Sequence, residues 1–159
     1  MNDYYKNLPK KRMGSGALFF NSEGKVLIVK PTYKDYWEIP GGVTENDESP
    51  WNTCVREVKE ELGLSVSGTK LLSIDYISNS DGKGERLMFI FDGGELSDSD
   101  IKNISLQEKE LSEYRFVTSE EAVSLLGDKL KRRVANSILV RKEDKALYLE
   151  NGEPADYFK

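Results

Sequence analysis

Apolar residues recur along this chain with two different periods. Residues 16–20 and 26–29 are continuous β-prone runs, and Asn21-Ser22-Glu23-Gly24 between them has turn composition, so the pair reads as a hairpin. Residues 33–42 read as an aromatic-rich loop ending in Pro40-Gly41-Gly42. At Ser49 the period changes. Trp51, Val55, Val58 and Leu62 recur at spacings of four, three and four, which makes one apolar stripe on a helix. Ser49 suits the N-cap, Pro50 the first helical position and Gly63 the stop, so residues 50–62 are expected as one uninterrupted helix. Strands are expected at 70–77 and 87–91, joined by the glycine-bearing loop 80–84, and again at 114–117. Thr118 or Ser119 caps a short helix through Leu126, residues 129–141 make a second one, and Ala146-Leu147-Tyr148-Leu149 is strand-like. No repeat, low-complexity tract or linker divides the chain. The expectation is an α/β fold over residues 1–159 as one domain, a mixed β-sheet sandwiched between α-helices.

Composition narrows the chemistry. A chain of 159 residues builds one full core, and 38% hydrophobic with 32% charged residues fits a well-solvated globule. No window approaches 18 consecutive apolar residues, so no membrane partner is expected. The start, MNDYYKNLPKKRMGSG, lacks the apolar core of a secretory signal. The lone Cys54 excludes an internal disulfide and suits a reducing, cytoplasmic setting, where a buried thiol is expected. There is no histidine, which removes zinc–histidine sites and imidazole catalysis, and a net charge of −5 disfavours duplex nucleic acid as a partner. Carboxylates without histidine point to a hard cation held by oxygen ligands.

The chemistry concentrates between Gly42 and Leu64, which read Gly42-x5-Glu48-x7-Arg56-Glu57-Val58-Lys59-Glu60-Glu61-Leu62-Gly63-Leu64. On a helix Glu57, Glu60 and Glu61 share a face at i, i+3 and i+4, opposite the apolar stripe. Like charges at that spacing cost roughly 0.2–0.5 kcal/mol per pair and raise one another's pKa. A cation between them would offset that repulsion. A charge run is ordinarily just a solvated helix face, but nine fixed positions over 23 residues arise by chance with a probability of about 10⁻⁷ to 10⁻⁶.

This segment resembles the Nudix box, and each fixed position of that signature is present. The preceding Trp37-Glu38-Ile39-Pro40-Gly41-Gly42 is similar to the family's usual lead-in, and Tyr114-Arg115-Phe116-Val117-x-x-Glu120-Glu121-Ala122 to its C-terminal part. The resemblance covers residues 14–126; beyond it, Lys131-Arg132-Arg133 and the strand-like run at 146–149 are similar to a bacterial branch of the family. The resemblance implies the Nudix fold and hydrolysis of a diphosphate linkage in a nucleoside diphosphate joined to another group, with Mg²⁺ or Mn²⁺ as cofactor. It implies Glu57, Glu60 and Glu61 as metal ligands and Arg56 as the residue that orients them. Gly42 and Gly63 would permit tight turns, and Glu48 would brace the loop onto the helix. The general base is either a box glutamate or comes from Glu108, Glu110 and Glu113, of which Glu110 is preferred. The partner would be a small nucleotide-like molecule, with a homodimer also possible in this family.

Tyr33, Tyr36 and Trp37 are read as base-stacking or packing residues, Trp51 as core, and the 129–133 run as an exposed helix face. Lys11, Arg12, Lys30 and Arg86 are candidates for phosphate contacts, but none identifies a substrate. A catalytically silent, nucleotide-binding regulatory module is the alternative to a hydrolase. A diphosphate isomerase is disfavoured by the placement of Cys54 within the box helix.

Overall fold

A computed structural model of the chain describes residues 2–66 and 70–155; the ends of the expected 1–159 span lie outside them. After a short helix α1 (Asp3–Lys6), strand β1 (Arg12–Phe20) turns into β2 (Val26–Pro31), and β3 (Gly41–Val43) precedes helix α2 (Pro50–Leu62). Strands β4 (Leu71–Ile77) and β5 (Arg86–Glu95) flank a 3₁₀ turn at Asn79–Asp81. Helix α3 (Asp98–Lys102), β6 (Leu111–Val117), α4 (Ser119–Leu125), α5 (Asp128–Val140), β7 (Leu147–Glu150) and β8 (Glu153–Pro154) complete the order. The helix expected at 50–62 is unbroken. Ser49 Oγ accepts the Asn52 N–H at 3.1 Å, and Gly63 ends the helix at φ 71°, where a side chain would be strained.

The strands form one mixed sheet in the order β6-β2-β1-β5-β4-β7-β8, with β3 paired to β1 off that path. The expected hairpin of residues 16–20 with 26–29 is present only at its tip, because β1 and β2 share the single register pair Phe20–Val26. β1 begins four residues earlier than expected, at Arg12, and pairs in parallel with β5 from Arg12–Arg86 to Phe20–Glu95, while β2 runs antiparallel to β6. The backbone groups that β1 and β2 do not exchange are satisfied by residues 37–43. Val29 and Glu38 exchange two hydrogen bonds of 2.8 Å, Ala17 N donates to Pro40 O at 3.0 Å, and β3 pairs with Gly14–Gly16.

Side-chain alternation along the strands supplies two cores, one on each face of the sheet. Ala17, Phe19, Leu27 and Val29 pack with Cys54, Val58 and Leu62 of α2. Leu18, Phe20, Val26 and Ile28 pack with Trp37, Ala122 of α4 and Val134 of α5. Each fully buried aliphatic side chain contributes roughly 1.5–3 kcal/mol. Helices therefore cover both faces, as the α/β reading requires. Among the described residues, no helix is long and apolar enough to cross a membrane.

Helix α5 is not the exposed basic face expected of the 129–133 run. Arg133 is 5% exposed, and its Nε donates to Asp75 Oδ2 of β4 at 2.8 Å, while Asp75 Oδ1 accepts the Gly152 N–H at 2.9 Å. One buried carboxylate thus ties β4, α5 and the β7–β8 turn together.

Replacing Asp75 by Asn leaves the buried guanidinium without its counter-charge, and we expect a loss of about 3–5 kcal/mol in urea unfolding. A double Asp75→Leu/Arg133→Met chain should lose much less, and equal losses in both would show that charge burial is not the cause. Burial also pushes the Cys54 thiol up to about 12, so at pH 8 it stays protonated in the folded chain. Thiol titration should therefore be slow in the native protein and rapid in urea, and fast native labelling would contradict this packing.

Candidate active site

An open cleft of about 1350 Å³ lies where residues 37–43 fill the gap between β1 and β2. Gly41, Gly42, Glu57, Glu61 and Glu110 line one end of it. The position of α2 follows from its capped start and from Cys54, Val58 and Leu62, which anchor it on β1 and β2. That anchoring sets the direction of each acidic side chain.

Glu61 is buried at 7% exposure, beside the apolar stripe rather than opposite it, because 3.6 residues per turn place it about 100° from Leu62 and about 60° from Val58. Its Oε2 accepts the Gly41 N–H at 3.0 Å. Burial pushes its pKa up to about 8; the Gly41 bond opposes the shift, and the charges of Glu57, Glu110 and Glu38 add to it. Glu57 is also raised, first by burial, and the charges of Glu60 and Glu110 reinforce this against the pull of Arg56. Its carboxylate lies against Gly42, where an added Cβ would sit 2.3 Å from Oε1. Gly42 thus serves close approach, and no positive φ at that residue is involved, contrary to the tight-turn reading.

Glu60 stands apart. Its side chain is 48% exposed and accepts from Arg56 Nη1 at 3.3 Å. Arg56 sits at the centre of a fan of acceptors. Its Nε and Nη2 reach the two oxygens of Glu48 at 2.7 and 3.1 Å, Nη1 reaches Glu57 Oε1 at 2.9 Å, and Nη2 also reaches Val43 O at 3.2 Å. Glu48 further accepts the Glu45 N–H at 3.0 Å and the Thr53 hydroxyl at 2.8 Å. These bonds, with Arg56 foremost, hold its carboxyl down at about 2, and Glu48 in turn raises the Arg56 pKa. Loop 44–48 is pinned to α2 by this pair.

Of the three outside candidates, Glu110 reaches the cleft, whereas Glu113 pairs with Arg115 at 2.7 Å and Glu108 is exposed. Among the described residues, no three acidic or cysteine side chains are already gathered into a metal-holding group. Other expectations divide. Trp37 is buried with Arg115 stacked 4.7 Å from its ring, so packing accounts for it, while Tyr33 and Tyr36 remain 71% and 44% exposed at the cleft mouth. Trp51 is half-buried against Phe91, with ring centroids 5.1 Å apart. Lys11 pairs with Glu85, Lys30 donates to the Lys34 carbonyl and Arg86 pairs with Asp81. Arg12 and Arg86 line the cleft; Lys11 and Lys30 do not.

Glu38 and Arg133 are among the cleft residues that escaped the sequence reading. Glu38 lay in the quoted lead-in and could have been weighed as a charge. Arg133 carried no local signal, since its partner Asp75 is 58 positions away.

Known proteins resemble this chain in sequence and in fold. Residues 10–139 match the NUDIX domain family. Over 84% of its length the chain is 28% identical to Nudix hydrolase 5 of Arabidopsis thaliana, covering 47% of that protein. Over 69% of its length it is 34% identical to the ADP-ribose pyrophosphatase of Bacillus subtilis (strain 168), covering 60% of that protein. The chain thus spans about half to three-fifths of the length of these curated relatives. Among solved structures, the MutT protein from Methanosarcina mazei Go1 superposes with a TM-score of 0.67 at 23% identity, over 87% of this chain and 100% of that one. The NUDIX domain of Shewanella oneidensis NrtR, complexed with ADP ribose, gives 0.67 at 16% identity over 88% and 97%. Those structural likenesses establish the Nudix fold. The family match runs from just before β1 into α5, over most of the chain, which belongs to the Nudix hydrolase family.

Proposed function

We propose that this chain is a Mg²⁺- or Mn²⁺-dependent hydrolase of a diphosphate linkage in a small nucleotide-like substrate, a nucleoside diphosphate joined to a second group. The observation that carries the reading is the burial of Glu61 beside Glu57, with Glu110 near both and Arg56 directed to Glu48 and the outer edge. Glu57 and Glu61, both raised by burial and by their acidic neighbours, share one end of the cleft with Glu110, and a hard divalent cation is the ligand that such a donor set fits.

Glu57 and Glu61 would hold the ion, and Glu60 would join them on leaving Arg56. Held there, such an ion would supply charge neutralisation for the diphosphate oxygens and a lower pKa for water. Arg56 keeps Glu57 turned toward Gly42, and Glu48 keeps Arg56 in place. Gly41 and Gly42 let the carboxylates approach the backbone closely. Glu110, from the loop before β6, would accept the proton of the attacking water.

Glu57→Gln and Glu61→Gln keep the side-chain volume and remove the charge. We expect each to lower kcat/KM by about 10³ or more, since metal-based stabilisation is worth several kcal/mol at about 1.4 kcal/mol per tenfold. The assay is phosphate or pyrophosphate release from a panel of ADP-ribose, nucleotide sugars, nucleoside triphosphates and dinucleoside polyphosphates with Mg²⁺. Full activity in both variants would sink the site assignment. Nucleotide binding without release from any compound would favour the silent module.

The Glu48–Arg56 brace carries a pH signature. Because the folded pKa of Glu48 lies below its unfolded value, its stabilisation is complete above about 4.5 and fades as the pH falls toward about 2. Glu48→Gln should lower the melting temperature at pH 7, and the gap to the parent chain should close between those pH values. A gap that persists unchanged at pH 2.5 would rule out this ionic origin.

A further inference from the structure

The cleft is electrically polarised. Opposite the glutamate end it is bounded by Arg86, Lys129, Arg133 and the start of α5. Arg133 is 5% exposed and spends only its Nε on Asp75. Among the described residues its two terminal nitrogens have no hydrogen-bond acceptor, and neither is sealed from solvent. Arg86 and Lys129 share one carboxylate, Asp81, at 2.7 and 2.9 Å. Gly127 caps α5 without a side-chain acceptor, so the first amides of a 13-residue helix open onto the same place. Tyr36 packs on Gly127 and forms the adjoining wall. Arg12 and Lys83 add charge at the rim, against Asp81 and the Lys131-paired Asp128.

We propose that this end of the cleft is an anion subsite, in which Arg86, Lys129 and Arg133 at the open N-terminus of α5 hold a phosphate monoester that the substrate carries in addition to its diphosphate. The proposal rests on the glutamate end being the place of the diphosphate. Strand β1 measures the separation. Gly16 pairs with Gly41, whose N–H meets Glu61, and Arg12 pairs with Arg86. The four steps along β1 from Arg12 to Gly16 span about 13 Å at roughly 3.3 Å each. A diphosphate is too short to reach both ends, whereas a nucleoside or sugar carrying a second phosphate bridges them. Two guanidinium groups, an ammonium and helix amides match the three oxygens and near-double charge of a phosphate monoester better than a carboxylate. Asp81, held far below the ordinary carboxylate range by Arg86 and Lys129, is the group such a phosphate would compete with.

The test reads binding apart from turnover. Calorimetry on the full chain in Ca²⁺ buffer compares two pairs that differ by one ribose phosphate, coenzyme A with 3′-dephospho-coenzyme A and NADP⁺ with NAD⁺. The phosphorylated member of at least one pair should bind at least tenfold more tightly. Lys129→Gln and Arg86→Gln should each bring that ratio below threefold. Asp81→Asn, which removes the competing charge but keeps an acceptor for the loop, should raise it; a purely structural Asp81 would lower it. Equal affinities within both pairs, no binding of any of the four, or a ratio that survives both cation variants overturns the subsite. Hydrolysis of the same four compounds in Mg²⁺ is followed separately. A preference in binding without turnover of these four or of the earlier panel would support the subsite while removing the hydrolase reading, and turnover without preference would do the reverse.

Discussion

Strands β1 and β2 part after Phe20 and Val26, and the backbone groups they would have exchanged must find other partners. Residues 37–43 fill that gap, and much of what is chemically interesting in the molecule follows from this. The inserted segment brings Gly41 and Gly42 against α2, where missing side chains let Glu57 and Glu61 approach the backbone closely. It also opens the sheet enough for a cleft that reaches from the acidic side of α2 to the start of α5. Had β1 and β2 zipped together as an ordinary hairpin, the carboxylates would face a closed surface.

The same helix handles its charges in two ways. Toward the loop, Arg56 and Glu48 form a two-bond pair that lowers the carboxyl pKa and fastens residues 44–48. Toward the cleft, Glu61 has a single backbone amide and its pKa is raised. One side of α2 is therefore electrostatically satisfied, and the other is left in tension. Proteins commonly tolerate such strain where a ligand relieves it.

Much of this was legible in the residues alone. The boundaries of α2 followed from Ser49, Pro50 and Gly63, because caps and stops act within one turn of the chain. The box was legible because its spacing is fixed within 23 residues. What stayed hidden depends on contacts between distant segments. The parallel pairing of β1 with β5, and of β4 with β7, leaves no local trace. Arg133 sat in a basic run that looked solvated, and its burial depends on an aspartate in β4, 58 positions earlier. Glu60 and Glu61 are neighbours of identical type, and only the packing of Leu62 and Val58 determines which one turns inward. The purpose of Gly42 was likewise invisible, since the Glu57 carboxylate that excludes a side chain there arrives from another element.

Tyr33 and Lys34 on one loop and Asp81 and Lys83 on another border the cleft while contributing nothing to either core. Their replacement would alter what the cleft accepts without disturbing the packing that holds the glutamates. Such a separation lets selection change ligand preference by small surface steps, with the reaction centre inherited intact. It also marks these two loops as the natural sites for a directed-evolution library, because substitutions there should seldom cost the protein its fold.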